Sequence, residues 1–351
     1  MPQNVTFFLP FEAGSNPDAA RAGAHHLDWI RAHGLVRGEQ ALRRYREWLL
    51  TDLAGYAYPE ARGADLDLVT DAVCIGFPLD DQFDGPRGSH PEHVARLSTE
   101  LAAIPYREPG TPPALDTPLT RAYTDVWRRS AEGMSAQWRT RAAATYTRFF
   151  RAYVEEAHNR RSGALLDEKT YITLRREAVG TGPCFDLIER AGHFELPEDL
   201  YWSPGVQTLL RSATDVIFLC NDAHSVEREE AQGDPHNLVL ITQRTRGCSR
   251  ADALERVGAL VRNTVRGFQD TAHTLLQRYA GTPERDLLAR HIAGLRHWMI
   301  GNQRWGTVSA RYATENIGVE VIPDDIGSAG ADRSGALSGP TAGSTSSAAR
   351  P

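Results

Sequence analysis

Two short runs of oxygen-bearing side chains stand about 140 residues apart in this chain: Asp80-Asp81-Gln82-Phe83-Asp84, and Asn221-Asp222-Ala223-His224-Ser225-Val226-Glu227-Arg228-Glu229. In the first, Asp80 and Asp84 are spaced to share one helix face, with Asp81 at the same rim. In the second, Asn221, Ser225 and Glu229 step by four twice. Successive members drift by only about 40° around a helix, so an amide oxygen, a hydroxyl and a carboxylate can meet one ion. Hard divalent cations take oxygen ligands, and Mg²⁺ keeps part of its shell for water and phosphate oxygens. Crowded carboxylates repel one another, a cost that a bound cation relieves. Together the two sets imply several Mg²⁺ ions held against a diphosphate, an arrangement that would ionise an allylic diphosphate to a carbocation.

Each run alone also fits a blander role. The first reads equally as a solvated acidic helix end before the turn Gly85-Pro86-Arg87-Gly88, the second as the polar end of a buried helix. An apolar stripe leads into each. Leu66, Val73 and Phe77 lie back along the face of Asp80, and Ala213 and Ile217 along the face of Asn221. Apolar turning to charged is the layout of a greasy pocket with an ion-binding mouth.

The elements that must position these residues are helical. Residues 1–20 read as an extended arm, with Pro10 and Pro17. Residues 105–118 are a proline-rich connection. The recurrence of Trp127, Met134, Trp138, Tyr146, Phe149, Phe150 and Tyr153 predicts one long helix over 119–160. Further helices are expected over 203–230, 249–279 and 284–314. Pro204 and Pro283 lie near the starts of two of them, and Ser249 and Thr282 are candidate N-caps. From 327 to 351 the chain is Gly, Ser and Ala with almost no large apolar residue, which predicts a disordered tail after a single domain over 1–326.

Bulk properties narrow the function. The chain has 351 residues, 41% hydrophobic, enough for a substantial core. A net charge of −6 disfavours nucleic acid as a partner. No apolar run approaches the roughly 18 residues of a membrane-spanning helix, so no membrane insertion is expected. The N-terminal segment lacks the basic start and long apolar run of a signal peptide. Cys74, Cys184, Cys220 and Cys248 show no metal spacing. Reduced thiols and a cytoplasmic location are the expectation.

Over roughly residues 1–315 the sequence resembles the bacterial class I terpene synthases, in particular their sesquiterpene-cyclising members. The resemblance rests on the two motifs as a pair, and on the MPQ start, YPEARGADLDL at 58–68, DDQFDGPRG at 80–88, DVWRRSAEGM at 125–134 and FDLIERAGHFELP at 185–197. It implies an all-α, single-domain barrel of helices around a deep apolar cavity, with three Mg²⁺ ions. By resemblance Asp80 is a metal ligand, with Asp81 and Asp84 as supporting acids, and Asn221, Ser225 and Glu229 hold the third ion. Arg175 falls at the place of a diphosphate-sensing arginine, with Arg176 beside it. Arg311 and Tyr312 match a C-terminal pair that donates to diphosphate, and Arg228 fits the basic position of the second motif. Gly180 suits a helix break coupled to sensing, with Gly182 close by. Phe77, Trp305 and Phe83 are candidates for π faces that stabilise a cation. For each arginine the alternative is a surface cation, and for each aromatic it is core packing.

One departure bears on the substrate. Cys74-Ile75-Gly76-Phe77-Pro78 precedes the aspartates, where related cyclases often carry more aromatic bulk. Gly76 removes a side chain from the expected cavity wall, and Pro78 should kink the helix near the first ligand. The pocket therefore folds a C15 chain differently or admits a C20 one. An isoprenoid diphosphate is the expected partner, farnesyl diphosphate first and geranylgeranyl diphosphate as the alternative. A homodimer is possible by resemblance. A non-catalytic helical binder of prenyl diphosphates is the rival from another class.

Overall fold

The computed structural model describes residues 5–84, 88, 90–313 and 321–328; of Asp84 it describes the backbone only. Within them the chain forms α1 (Ala19–Ala32), α2 (Glu39–Glu47), α3 (Leu50–Ala57), α4 (Gly63–Cys74), α5 (Gly76–Asp84), α6 (Pro91–Ala103), α7 (Pro118–Ala131), α8 (Ala136–Ser162), α9 (Glu168–Ala178), α10 (Thr181–Gly192), α11 (Glu198–Tyr201), α12 (Pro204–Gln232), α13 (Leu238–Arg246), α14 (Arg250–Arg278) and α15 (Glu284–Gly306). No strand occurs among the described residues. The protein is thus all-α, as expected, and no described helix is long and apolar enough to cross a membrane.

Helices α3, α4, α5, α7, α8, α9, α10, α12 and α15 contribute residues to one central cavity, while α1, α6, α13 and α14 pack outside them and contribute none. The two-layer plan follows from how the apolar faces are spread. Helix α14 presents a single stripe, Val257, Val261, Val265, Phe268 and Ala272, to the core. Helix α12 instead buries residues on most of its circumference, including Val216, Ile217, Phe218 and Leu219 in succession. It is covered by α14 and α15 on one side and faces the cavity on the other.

Local chemistry sets the helix ends. Ser249 caps α14, its hydroxyl accepting from the Asp252 N–H at 3.2 Å while Asp252 reaches back, a capping box. Ser203 caps α12 with Pro204 in the first turn. Three expectations need correction. The span 119–160 is two helices, because Glu132 is extended and Gly133 turns left-handed at φ +76°, after which Ser135 caps α8. Thr282 does not cap α15: its hydroxyl turns back to the Tyr279 carbonyl, and Pro283 precedes the helix without a side-chain cap. Helix α15 stops at Gly306 rather than 314, and the chain reverses into a 3₁₀ turn at Ala310–Tyr312, capped by Ser309.

The segment 5–18 is non-helical, and α1 begins at Ala19, inside the stretch 1–20 expected to be extended. Residues 321–328 lie across α5 and α7. Val321, Ile322 and Ile326 are buried, the Leu119 N–H donates to the Ile326 carbonyl at 3.1 Å, and Arg37 pairs with Asp325 at 2.8 Å. Gln82 donates to the Pro323 carbonyl at 2.9 Å and accepts from the Gly327 N–H at 3.1 Å. Gly327 and Ser328, assigned to the tail by composition, pack here. The rest of that expected tail, 329–351, lies outside the described residues.

Candidate active site

Both oxygen-bearing runs reach the same place. The first motif rides on α5, which begins after a break at Ile75, with Pro78 in its first turn. The second occupies the C-terminal half of α12. Asp80 on one side, and Asn221, Ser225, Arg228 and Glu229 on the other, line the mouth of the central cavity, with Arg175, Arg311 and Tyr312. Its empty space, mouth included, is about 1340 Å³. Below the mouth the walls are Leu53, Phe77, Tyr123, Tyr146, Phe149 and Trp298.

The acidic side is tied to cations. Arg311 is 4% exposed. Its Nη2 donates to Asp81 Oδ1 at 2.7 Å and Asp80 Oδ2 at 3.2 Å, and its Nη1 to Asp81 Oδ2 at 3.3 Å. Arg228 Nη2 donates to Asp81 Oδ1 at 2.8 Å. Burial opposes ionisation of Asp81, but these two guanidinium groups outweigh it and hold the carboxyl below its usual range. Asp81 does not line the cavity; it anchors the two arginines at its edge. The Asp84 side chain lies outside the described residues. Among the described residues no three His, Cys, Asp or Glu side chains gather into a ready metal cluster.

The other side is tied through α9. Arg175 Nη2 donates to Asn221 Oδ1 at 2.9 Å and its Nε to Asp222 Oδ1 at 3.3 Å. Asn221 Nδ2 donates to the Tyr312 hydroxyl at 2.7 Å. Glu229 accepts from Asn237 Nδ2 at 2.6 Å. Burial, then the neighbouring Asp222, raises the Glu229 pKa. Asp222 is buried too, but it accepts from Arg175, the Tyr171 hydroxyl and the Leu238 N–H. Burial still outweighs those donors and raises the Asp222 pKa as well, so the proton of this acidic pair belongs to Asp222 and Glu229 together. Ser225 Oγ is buried, lies between Asn221 and Glu229 on the same face, and has no hydrogen-bond partner among the described residues.

Other sequence candidates divide. Arg176 turns away from the cavity and pairs with Asp215 at 2.7 Å. Phe77 and Trp305 line the cavity, their rings 5.3 Å apart edge to face, with the Arg311 guanidinium 5.1 Å from the Phe77 centroid. Phe83 is not a wall residue: it is fully buried behind Tyr153, ring centroids 4.4 Å apart. A Cβ built on Gly76 would meet nothing within 4 Å, so that wall does carry free room. Gly180 lies at φ +75° between α9 and α10 and lines the cavity.

Sequence reasoning missed several residues here. Tyr153 donates to Asp80 Oδ1 at 3.4 Å. Arg160 donates to the Phe83 carbonyl at 2.8 Å, and it lines the mouth with Glu156, Asp234 and His236. Tyr153 and Glu156 fall on the buried stripe of α8 and look like core by period alone. Asn237 is placed by the turn after α12 and carries no pattern in the sequence.

Residues 71–267 match the family model described as terpene synthase family 2, C-terminal metal binding. The chain is 36% identical to pentalenene synthase of Streptomyces exfoliatus over 321 residues, 90% of this chain and 94% of that one. It is 34% identical to a (-)-beta-caryophyllene synthase of Saccharothrix espanaensis, covering 93% and 94%. The crystal structure of linalool/nerolidol synthase from Streptomyces clavuligerus superimposes with a TM-score of 0.78 at 32% identity, covering 86% of this chain and 99% of that one.

Proposed function

The chain belongs to the bacterial terpene synthases, and from that membership we propose that it is a Mg²⁺-dependent cyclase which ionises farnesyl diphosphate. The carbocation is closed into a sesquiterpene hydrocarbon or alcohol, and diphosphate is released. What supports this reading most is that Asp80 of α5 and Asn221, Ser225 and Glu229 of α12 line one cavity together with Phe77, Tyr123, Tyr146 and Phe149.

The residues fit divalent cations. All the candidate donors are oxygens, and the unpartnered Ser225 hydroxyl sits between an amide oxygen and a carboxylate, an arrangement a hard ion would satisfy. Asp80, Asp81 and Asp84 on one side and Asn221, Ser225 and Glu229 on the other would hold three Mg²⁺ ions. When bound they supply Lewis acidity that stabilises the leaving diphosphate.

The chain's own groups do the rest. Arg311 and Arg228 are already clustered on Asp81, and Arg175 on Asn221, so these cations stand where a diphosphate would lie. Transferring their donors from carboxylate and amide to diphosphate oxygens frees the same carboxylate and amide oxygens for metal. Tyr312, bonded to Asn221, can turn its hydroxyl to the same anion. The walls fold the hydrocarbon and exclude bulk water, and the ring faces of Phe77 and Trp305 stabilise positive charge on carbon. Gly180 and the left-handed break that follows Arg175 would carry the sensing of diphosphate into the wall.

The free space at Gly76 keeps a C20 substrate as the second reading. Incubation with C10, C15, C20 and C25 linear diphosphates and Mg²⁺, with products read by gas chromatography and diphosphate release measured in parallel, decides between them. Farnesyl diphosphate should turn over fastest, and a chelator or Asn221→Ala should abolish release. Turnover of the C20 substrate alone rejects the sesquiterpene reading.

A further inference from the structure

Two of the tyrosines that line the cavity stand apart. Tyr153 and Tyr312 each engage their hydroxyl with a protein partner. Tyr123 on α7 and Tyr146 on α8 do not. They are 4% and 6% exposed, their rings meet edge to face with centroids 6.5 Å apart, and neither hydroxyl has a hydrogen-bond partner among the described residues. Both residues line the cavity, with the Cys184 thiol beside them. Each hydroxyl oxygen keeps access to the cavity space, where a bound water can pair with it.

Water suits the position. A buried water needs two to four polar partners. A phenol oxygen accepts as readily as it donates. If the two phenol oxygens accept the hydrogens of one water, both of its lone pairs stay free to face the hydrocarbon. Burial, then the neighbouring thiol, pushes the Tyr146 pKa well up, and burial does the same at Tyr123, so both stay neutral and neither serves as a terminal base.

Resting on the cyclase reading above, we propose that Tyr123 and Tyr146 hold a water that captures the final carbocation, so that the product is a terpene alcohol. The substrate C–O bond breaks with its electron pair leaving on diphosphate. A lone pair of the held water forms the new C–O bond. The oxonium then loses its proton to the diphosphate. The sum is one linear diphosphate plus one water giving one alcohol plus protonated diphosphate, with no redox change.

The test is turnover of farnesyl diphosphate with Mg²⁺ in water enriched in ¹⁸O, with products analysed by gas chromatography–mass spectrometry. The wild-type product should be mainly an alcohol, two mass units heavier. Tyr123→Phe and Tyr146→Phe should each lower the alcohol-to-hydrocarbon ratio about 10-fold, and the double variant further, a ratio read among the products formed and so independent of the total rate. Helical circular dichroism and a cooperative melt like the wild type's show that the variants are folded. A hydrocarbon-only wild type, or variants with an unchanged alcohol fraction, overturns the proposal while leaving the cyclase reading intact. Absence of release from every linear diphosphate overturns both.

Discussion

Arg311 is the residue on which the mouth turns. Buried between the rings of Trp48 and Phe77, with its guanidinium 4.6 Å and 5.1 Å from their centroids, it reaches both Asp80 and Asp81. Its planar fork engages two carboxylates now and would engage two phosphate oxygens later, which the point charge of lysine cannot reproduce. Arg311→Lys should therefore lower diphosphate release by about 100-fold or more, a loss typical of removing a preorganised donor. Steady-state release assays measure it, and a variant within a few-fold of wild type removes Arg311 from the site. At this scale the metal-facing residues were legible because Asn221, Ser225 and Glu229 repeat along a single helix. Tyr153, Arg160 and Asn237 were not, because their partners sit on other elements and no spacing within the chain announces a contact between helices.

Between helices the decisive element is the break from α9 to α10. Gly180 is left-handed there, and an added Cβ would also stand 3.0 Å from the Phe149 ring. Gly233, after α12, has the same φ of +75° but open space around the built Cβ. The pair separates backbone strain from crowding. Gly233→Ala should cost about 1 kcal/mol, the strain of a left-handed residue with a side chain. Gly180→Ala should cost more in thermal unfolding and also slow turnover, because Phe149 must move and Phe149 is cavity wall. Equal losses in the two variants would mean that Phe149 yields freely. Most helices here were legible from period and caps. The split of α7 from α8 was not, because the apolar stripe continues across the turn: both helices bury aromatic residues toward one core, Trp127 stacking near Trp138 at 6.4 Å. Only the Gly133 and Ser135 signals mark the boundary. The end of α15 was obscured in the same way, since Arg311 and Tyr312 continue a buried pattern after the helix has stopped.

Across the whole molecule, buried acids make stability depend on pH. Asp186 and Glu189 on α10 share one arginine, Arg141 of α8, which pairs with Glu189 and stacks on the Tyr201 ring at 3.9 Å. Burial outweighs Arg141 and pushes Asp186 up to about 7 and Glu189 up to about 8. A carboxyl whose pKa is higher folded than unfolded stabilises the fold fully at low pH and loses that contribution as pH rises through the folded value. The metal-free protein should therefore melt at progressively lower temperature from pH 6 to pH 9, and Glu189→Gln should flatten the decline. A melting temperature that rises over this range would contradict both shifts. The overall class was legible because composition and helical period act along the whole chain. The closing of residues 321–328 over α5 was not, for it depends on two hydrogen bonds from one glutamine. Gln82 finds its partners 241 and 245 positions later, and Asp80 meets Arg311 across 231. The mouth is thus assembled from residues more than 200 positions apart in the chain. On the ribosome neither the chamber nor its trigger is complete before α15 and residues 311–327 have emerged, and until then a nascent polypeptide stays inert toward reactive isoprenoids.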